Sequence, residues 1–286
     1  MLRTGRCISL IVTRTNSSYL RQVSLQIGPA TLDGLDIDFE VDSNTGDKNK
    51  ASTTITVWNL SPETIAAVHA EDDVLLVAGY QGDAGCIFCG QVTTITHGRD
   101  GPDRYTEFGC VDLAWPKNMQ PRIYPKGTFV SDILRNLYHD AAFLLAAVEC
   151  LEVTTSGPYT TDPDGSVTLQ WCLDVVNGDP DIKKTGRTIR AMTAGGESYI
   201  VPDDVTLSAT IRVSIDTGLI STSPEDGDNY DRSVTTLLNW RVMVGSAVEL
   251  ESLEPGASGR YVVAEYAHSG SEFTTTMKLK ASGGEE

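Results

Sequence analysis

Alternating apolar and polar positions predict a series of short strands in the first part of the chain. From Leu35 to Val41 the apolar residues alternate with Asp36, Asp38 and Glu40. One face of this predicted strand is therefore apolar and the other carries carboxylates. Further strands are predicted up to Leu60 and over Val74–Tyr80, Cys86–Thr96 and Tyr105–Leu113.

A short helix interrupts these strands. Ser61 is a favourable N-cap and Pro62 suits the first helical position, where no amide hydrogen is needed, so a helix is predicted from Pro62 to Ala70. Two more strands, Cys7–Thr13 and Val23–Ile27, precede the acidic one. Several antiparallel strands with Gly-rich turns and one short helix indicate a small closed barrel or sandwich.

The middle of the chain has a different pattern. Apolar residues at helical spacing predict a helix that is capped by Thr128 and ends near His139. Ala141–Leu151 either continues this helix or forms a second one, and Val167–Leu173 is predicted as a short strand. The pattern assigns no topology to residues 152–200.

Strict alternation returns at Val205 and predicts a long half-buried strand from Val205 to Ile215. The strands Arg260–Ala267 and Phe273–Lys280 bracket a short segment in which a turn role is predicted for His268. We therefore predict β domains at residues 1–115 and 205–282, a helical or mixed domain at 116–204 and a frayed tail at 283–286.

Both β regions resemble one protein family. The first contains, in order, VWNLSPET, VLLVAGY and IFCGQV, and the second contains TGLI, LLN, VGSAVEL, GRYVV and HSG. These segments are similar in kind and order to the two tube domains of tailed-phage baseplate hub proteins of the late control protein D group. That group is related in fold to contractile-tail hubs and to the base of type VI secretion spikes. Trp240 departs from the pattern, because the family more often has proline there.

The resemblance implies a mainly β protein with two tube-type antiparallel domains and a small α-containing middle region. It implies a structural role without catalysis: three chains form a pseudo-sixfold ring that joins the sixfold tail tube to the threefold central spike and continues the DNA channel. The implied partners are the tail tube protein, a trimeric spike protein, and tape measure and baseplate wedge proteins. The implied location is the virion baseplate, assembled in the host cytoplasm.

The charge of the chain adds to this picture. The 286 residues carry a net charge of -17. Such a protein repels nucleic acid and anionic membranes, because binding them requires Lys and Arg. An acidic surface can serve solubility alone, but in a ring it also lets DNA pass without sticking. The residues predicted for the lumen are Asp36, Asp38 and Glu40, and those predicted for an interface loop are Glu225, Asp226, Asp228 and Asp231.

Residues with chemical potential are sparse in the sequence. The six cysteines are scattered and are expected to be reduced, buried thiols, and Cys86-x-x-Cys89 has no second pair to complete a zinc site. The four histidines lie far apart, and no nucleophile elbow, P-loop or dinucleotide fingerprint occurs. The acidic segments 162–164 and 225–231 could bind Ca²⁺ weakly, but neither has an EF-hand register. We predict no catalytic residue, metal or cofactor.

No apolar stretch is long enough for a transmembrane helix, and the first residues lack the features of a signal peptide, so no membrane insertion is expected. Two other functions would require features of a different kind. A cell-wall-degrading hub would need a paired-carboxylate cleft or a metal or thiol constellation, and residues 152–200 are too few for such a domain. A carbohydrate-binding or adhesion β module would need an exposed aromatic platform.

Overall fold

The structure is a computed structural model that describes residues 20–43, 52–112, 115–149, 152–194, 197–202, 205, 210–225 and 230–282. The described residues fall into two units. One comprises those up to residue 113 together with those from residue 206 onwards, and the other comprises those between 114 and 205. The protein is mainly β, as the sequence predicts.

The first part of the chain confirms the predicted strands. Val23–Ile27 lies within the first strand, whereas Cys7–Thr13 falls outside the described residues. The elements are β1 Arg21–Ile27, β2 Ala30–Asp33, β3 Ile37–Asp42, β4 Ser52–Trp58, α1 Pro62–Ala67, β5 Asp73–Tyr80, β6 Asp83–Asp100 and β7 Asp103–Val111.

Helix α1 forms for the predicted reason. The Ser61 hydroxyl accepts a hydrogen bond from the Thr64 amide at 3.1 Å, and Pro62 occupies the first turn. The helix ends at Ala67 instead of Ala70 because Val68 adopts an extended backbone and is buried in the core. Burial of this one side chain therefore sets the end of the helix.

The middle unit combines helices with two small sheets. Strands β9, β11 and β12 form one sheet, in which β9 and β12 are parallel, and β8 pairs with β10. The elements are β8 Ile123–Tyr124, α2 Val130–Asp140, β9 Leu145–Val148, β10 Tyr159–Thr160, α3 Gly165–Gly178, α4 Pro180–Thr185, β11 Ile189–Ala194 and β12 Glu197–Pro202.

Two predictions for this unit are wrong. Val167–Leu173 belongs to α3, not to a strand, because the Asp164 carboxylate caps the helix by accepting from the Ser166 amide at 2.9 Å. Leu169, Leu173 and Val176 then share the buried side of α3. The segment after α2 is not helical, because Ala142 has a left-handed φ of 59° and β9 follows.

The predicted helix α2 is confirmed, with one difference at its start. Phe129 occupies the N-cap position, one residue after the predicted Thr128. The Thr128 hydroxyl donates instead to the Pro125 carbonyl at 2.8 Å, which closes the preceding turn.

The C-terminal part adds six strands to the first unit: β13 Ile211–Val213, β14 Leu219–Pro224, β15 Arg232–Leu237, β16 Ala247–Leu250, β17 Gly259–Ser269 and β18 Thr274–Ala281. Within the described residues these strands and β1–β7 hydrogen-bond into a single sheet of thirteen strands. Its main path runs β14-β15-β18-β17-β3-β4-β7-β6-β5-β1-β2. The pairing of β17 with β3 joins the N-terminal and C-terminal parts.

The long strand predicted from Val205 to Ile215 is wrong. Only Ile211–Val213 is a strand, and residues 206–209 lie outside the described residues. Ser214 and Thr217 form a capping box that turns the chain into a short 3₁₀ helix. Ile215 lies in that helix and is 70% exposed. Local side-chain hydrogen bonds thus override the alternating pattern.

His268 is also not in a turn. It lies near the end of β17 with no exposed surface, and its ring nitrogen Nδ1 is 2.8 Å from the Thr275 hydroxyl on β18. Because β3 pairs with this end of β17, the imidazole is covered on both sides by neighbouring strands.

The first unit contains an internal repeat. The order β3-β4-β7-β6-β5 recurs as β14-β15-β18-β17-β16. Both long hairpins carry a one-residue irregularity at the same place, between Val92 and Thr94 in β6 and between Val263 and Glu265 in β17. Each half therefore contains the same five-stranded arrangement.

A matching pair of side chains fixes the register of the repeat. At each irregularity the cross-strand register skips one residue, Thr93 in β6 and Ala264 in β17. Four residues further on, each strand has a histidine that contacts a threonine on the neighbouring strand. These contacts are His97 with Thr106 at 3.2 Å and His268 with Thr275 at 2.8 Å. The repeat thus makes β6 equivalent to β17 and β3 equivalent to β14.

Each half has its own hydrophobic core, and the C-terminal half contributes buried side chains to the core of the N-terminal half. One core is built mainly from β1–β7, and the other from β13–β18. Leu238 and Phe273 belong to the C-terminal half by sequence but are buried in the N-terminal core. Together with the β17–β3 pairing, these two side chains tie the halves into one unit.

Trp240, which departs from the family pattern, has a defined place between the halves. Its indole nitrogen donates to the Asp83 carboxylate at 2.9 Å, and the Arg241 guanidinium lies 4.3 Å from its ring centroid. Its ring lies directly over Gly85, where a Cβ would approach it to 2.3 Å. Gly85 is therefore required for the close approach of the indole ring.

Candidate functional site

The three acidic residues predicted for a lumen lie at or beside β3. Asp38 and Glu40 project from the face of β3 opposite the buried Ile37, Phe39 and Val41. Asp36 precedes the strand and is exposed, and its carbonyl accepts from the Trp58 amide at 3.0 Å. The structure thus places two of the three residues on one sheet face.

These two carboxylates make local hydrogen bonds. The Asp38 carboxylate accepts from the Phe39 amide at 2.8 Å, and the Glu40 carboxylate accepts from the Ser269 hydroxyl on β17 at 2.7 Å. The second bond crosses the junction between the two halves of the repeat.

The surface around Asp38 and Glu40 is a wide layer of hydroxyl and carboxylate groups, which we call the hydroxyl face. Cross-strand register carries this face from β3 over β4, β7 and β6 on one side and over β17, β18, β15 and β14 on the other. Its hydroxyl residues include Ser52, Thr54, Thr56, Thr94, Thr96, Ser221, Ser223, Ser233, Thr235, Ser269, Thr274 and Thr276.

The charged residues of the hydroxyl face are unevenly distributed. The carboxylates of Asp38, Glu40, Asp42 and Glu107 lie on β3 and β7, and Glu265 lies on β17 opposite Lys278, at 3.9 Å. The cations of this face, Lys278 and Lys280, lie on β18. Among the described residues, the N-terminal half of the face is therefore acidic.

The predicted interface loop is only partly described. Asp226 and Asp228 lie outside the described residues. The Asp231 carboxylate accepts from the Ala281 amide at 2.7 Å, and the Glu225 amide donates to the Asp231 carbonyl at 3.2 Å. Asp231 thus anchors the loop to the end of β18, and Glu225 extends the outer edge of β14.

The side chains that could act as metal ligands are scattered through the described residues. Within the described ranges, no three His, Cys, Asp or Glu side chains are placed to hold a metal ion. The Asp162 and Asp164 carboxylates accept backbone amides at the start of α3, from Asp164 at 2.8 Å and from Ser166 at 2.9 Å. Both carboxylates therefore stabilise the N-terminal end of α3.

The cysteines only partly follow the prediction of buried thiols. Cys110 and Cys172 are buried, and burial raises the pKa of the Cys110 thiol to about 12. Cys86 is half-buried and Cys89 is exposed, which corrects the prediction for those two. A thiol with a pKa near 12 is protonated and unreactive at neutral pH.

The tryptophans do not form an open aromatic row. Each one is buried or half-buried and packs on another side chain. The pairs are Trp58 with Tyr105, Trp115 with Tyr138 and Phe143, Trp171 stacked on Tyr159, and Trp240 with Arg241. Sugar-binding platforms use exposed aromatic faces, so this packing gives the carbohydrate-binding alternative no support.

Comparisons with known proteins relate the fold to phage tails. A tail protein from Neisseria meningitidis MC58 superimposes with a TM-score of 0.60 at 13% identity, over 93% of this chain and 98% of that one. The 43 kDa tail protein of prophage MuSo2 from Shewanella oneidensis gives a TM-score of 0.60 at 8% identity, over 92% and 98% of the two chains.

A third similar structure comes from a secretion system. The E. coli c3393 protein gives a TM-score of 0.55 at 12% identity, over 90% of this chain and 76% of that one. It is described as a type VI secretion component with structural similarity to the T4 tail proteins gp27 and gp5. No family model and no curated protein matches the sequence. The chain thus shares its fold with phage tail proteins.

In the part of the chain that the structure describes, no helix has the length and apolar character needed to cross a membrane.

Proposed function

We propose that this chain is a structural baseplate hub of a phage-type tail. Three copies form a ring that joins the sixfold tail tube to the threefold central spike and continues the DNA channel. The internal repeat carries this proposal, because each chain presents the same five-stranded unit twice within one sheet. Three such chains present six similar units, so one ring matches sixfold symmetry on one side and threefold symmetry on the other.

The shared fold supports the same role. Two of the similar structures are phage tail proteins that match this chain over nearly their whole length, and the third is a type VI secretion component. The partners proposed from this role are the tube protein, a trimeric spike, and tape measure and wedge proteins. The proposed location is the tail baseplate of the virion, and the two β halves act as its two tube-type domains.

The acidic hydroxyl face is proposed to line the channel. Asp38 and Glu40 project from it, and hydroxyl groups that carry no charge surround them. A surface of this kind repels phosphates at short range, and its hydroxyls offer only neutral, exchangeable hydrogen bonds. DNA would therefore move along the channel without being retained.

The assembly state tests the hub proposal. We expect the purified protein to have the mass of three chains by multi-angle light scattering, either alone or after mixing with its tube and spike proteins. We also expect electron micrographs of the mixture to show rings stacked on tube ends. A chain that remains monomeric in the presence of both partners contradicts the proposal.

Adding positive charge to the hydroxyl face tests whether this face lines the channel. In the assembled ring, Glu40→Lys with Thr54→Lys places two cations on neighbouring strands of the hydroxyl face. We expect this variant to retain DNA at low salt, with affinity falling steeply as salt rises, because each lysine-phosphate contact releases counterions. The measurement is a filter-retention or mobility-shift assay over a salt series.

The control carries the same change of charge at a different place. Asp33→Lys with Thr31→Lys alters two exposed residues of the edge strand β2. If both variants retain DNA equally, the hydroxyl face does not line the channel. If only the Glu40 and Thr54 variant retains DNA in the assembled ring, the lining is supported.

A further inference from the structure

The contact between β17 and β3 shows how one repeat half is joined to the other. The Gly270 amide donates to the Phe39 carbonyl at 2.7 Å, and the Ser43 amide donates to the Tyr266 carbonyl at 3.0 Å. Between these bonds, His268 pairs with Val41 and has no exposed surface. Strand β3 thus covers the far end of β17 and buries its histidine.

At the equivalent end of β6, the described part of the chain provides no covering strand. Strand β5 pairs with β6 only as far as Gln91, and β6 continues to Asp100. Beyond Val92, no strand among the described residues pairs with the side of β6 opposite β7. His97, the equivalent of the buried His268, is therefore exposed.

Strand β14, the equivalent of β3, has one paired side among the described strands. Strand β14 pairs with β15 on one side, and within the described ranges no strand pairs with its other side. The cross-strand register through β15 and β4 places Pro224 on β14 at the position of Val41 on β3. Val41 is 1% exposed, whereas Pro224 is exposed. Both surfaces of the junction inside the chain thus recur, one on β14 and one at the far end of β6, and among the described residues no strand opposes either of them.

We infer that β14 of one copy of this chain pairs with the far end of β6 in the next copy. The register of the repeat sets Ser223–Glu225 antiparallel to Thr96–Gly98, as Glu40–Asp42 lies against Ala267–Ser269 within the chain. This inference rests on the proposed ring and identifies the strands that form it. Glu225, predicted as an interface residue from the sequence, lies opposite Thr96 in this pairing.

The contact is head to tail, because the two strands belong to different parts of the chain. Such a heterologous contact generates a ring when the rotation closes. It also removes two open sheet edges, which would otherwise invite aggregation. Pro224 takes the position of Val41 and has no amide hydrogen, so the contact between copies has one hydrogen bond fewer than the contact within the chain.

Cysteine cross-linking tests the register. Directly opposed residues in antiparallel strands have Cα atoms about 4.5–5.5 Å apart, within the range that a disulfide requires. We expect Thr96→Cys with Glu225→Cys to form intermolecular disulfides on mild oxidation, seen as a ladder of linked chains on non-reducing gels. The matched control, Thr96→Cys with Ser221→Cys, is four residues out of register and should cross-link no more than the unmodified protein.

The outcomes separate this contact from the ring itself. A protein that assembles by light scattering but shows no excess cross-linking for the Thr96 and Glu225 pair overturns the contact and leaves the ring intact. Equal cross-linking of the test and control pairs also overturns it. A chain that stays monomeric with its tube and spike partners overturns both proposals.

A substitution at His97 tests whether this side chain is buried when two copies associate, as the proposed contact requires. His97→Asp places a carboxylate where the neighbouring copy would cover it, so we expect association to weaken roughly a hundred-fold or more. The control is His69→Asp, at an exposed histidine in the same unit. Unchanged association of the His97→Asp variant, with the thermal unfolding of its monomer intact, overturns the inference.

Discussion

Phe273→Ala should lower the free energy of unfolding of the first unit by about 3–5 kcal/mol, the range for removing a buried phenylalanine. Phe273 is 2% exposed. Its ring makes edge contacts with the rings of Phe39 and Tyr80, at centroid distances of 6.4 and 5.3 Å. The Arg21 guanidinium lies 4.9 Å from the same ring.

The position of Phe273 explains why the effect should reach both halves. The residue follows β17, yet its side chain is buried in the core of the N-terminal half, and its carbonyl accepts from the Leu238 amide at 2.9 Å. Truncation leaves a cavity at the junction of the repeat, so both halves should lose stability in a single transition. Urea unfolding followed by tryptophan fluorescence and by circular dichroism measures this.

Two further variants provide a milder change at the same position and a control at an exposed position. Phe273→Leu keeps most of the buried volume and should cost about 1–2 kcal/mol, less than the alanine variant. Leu253→Ala removes a side chain that is 91% exposed and should change the stability by less than about 0.5 kcal/mol. A loss below about 1 kcal/mol for Phe273→Ala would show that the ring does not hold the halves together.

Acid should destabilise the protein partly through His268. Burial lowers the pKa of the His268 imidazole from its ordinary value to about 4, although a backbone hydrogen bond with Val242 partly opposes the shift. In the unfolded chain this group has its ordinary pKa near 6.5, so between about pH 6.5 and 4 the unfolded state binds more protons. The free energy of unfolding therefore falls as the pH falls through this window, by about 3 kcal/mol in total.

The variant His268→Gln isolates this contribution. Glutamine has no titratable group and can still hydrogen-bond to the Thr275 hydroxyl, so the slope of stability against pH should be smaller between about pH 6.5 and 4. The measurement is the free energy of unfolding in urea at several pH values in this window. The control His69→Gln, at an exposed histidine, should keep the steeper slope. Parallel curves for the protein and His268→Gln would rule out this role for the buried imidazole.

Much of the β architecture could be predicted from the sequence because its strands have one buried face. In β3 the side chains alternate between the core and solvent, so the sequence pattern reports burial directly. The capped helix α1 was predictable for a similar reason, since the hydrogen bond of Ser61 is local. The order of the segments led to a resemblance to phage tail proteins, and phage tail structures share the fold of this chain.

The errors lie where local hydrogen bonds or distant packing compete with periodicity. Val167–Leu173 has strand-like residues, but the capping Asp164 and the buried side of α3 favour a helix. The alternation before Ile215 ends in a capping box, a device that spans only four residues. His268 looked like a turn residue because the strand β3 that buries it is distant in the sequence.

The sequence by itself determined the strand-rich class, the acidic surface and the two regions that resemble tube domains, because alternation and charge are local properties. Only the tertiary structure decided how those regions combine. It placed β3 against β17, aligned His97 with His268 across the repeat, and left the matching edges of β6 and β14 open among the described residues. Strand pairing between distant segments depends on register and geometry in three dimensions, and a single sequence records neither.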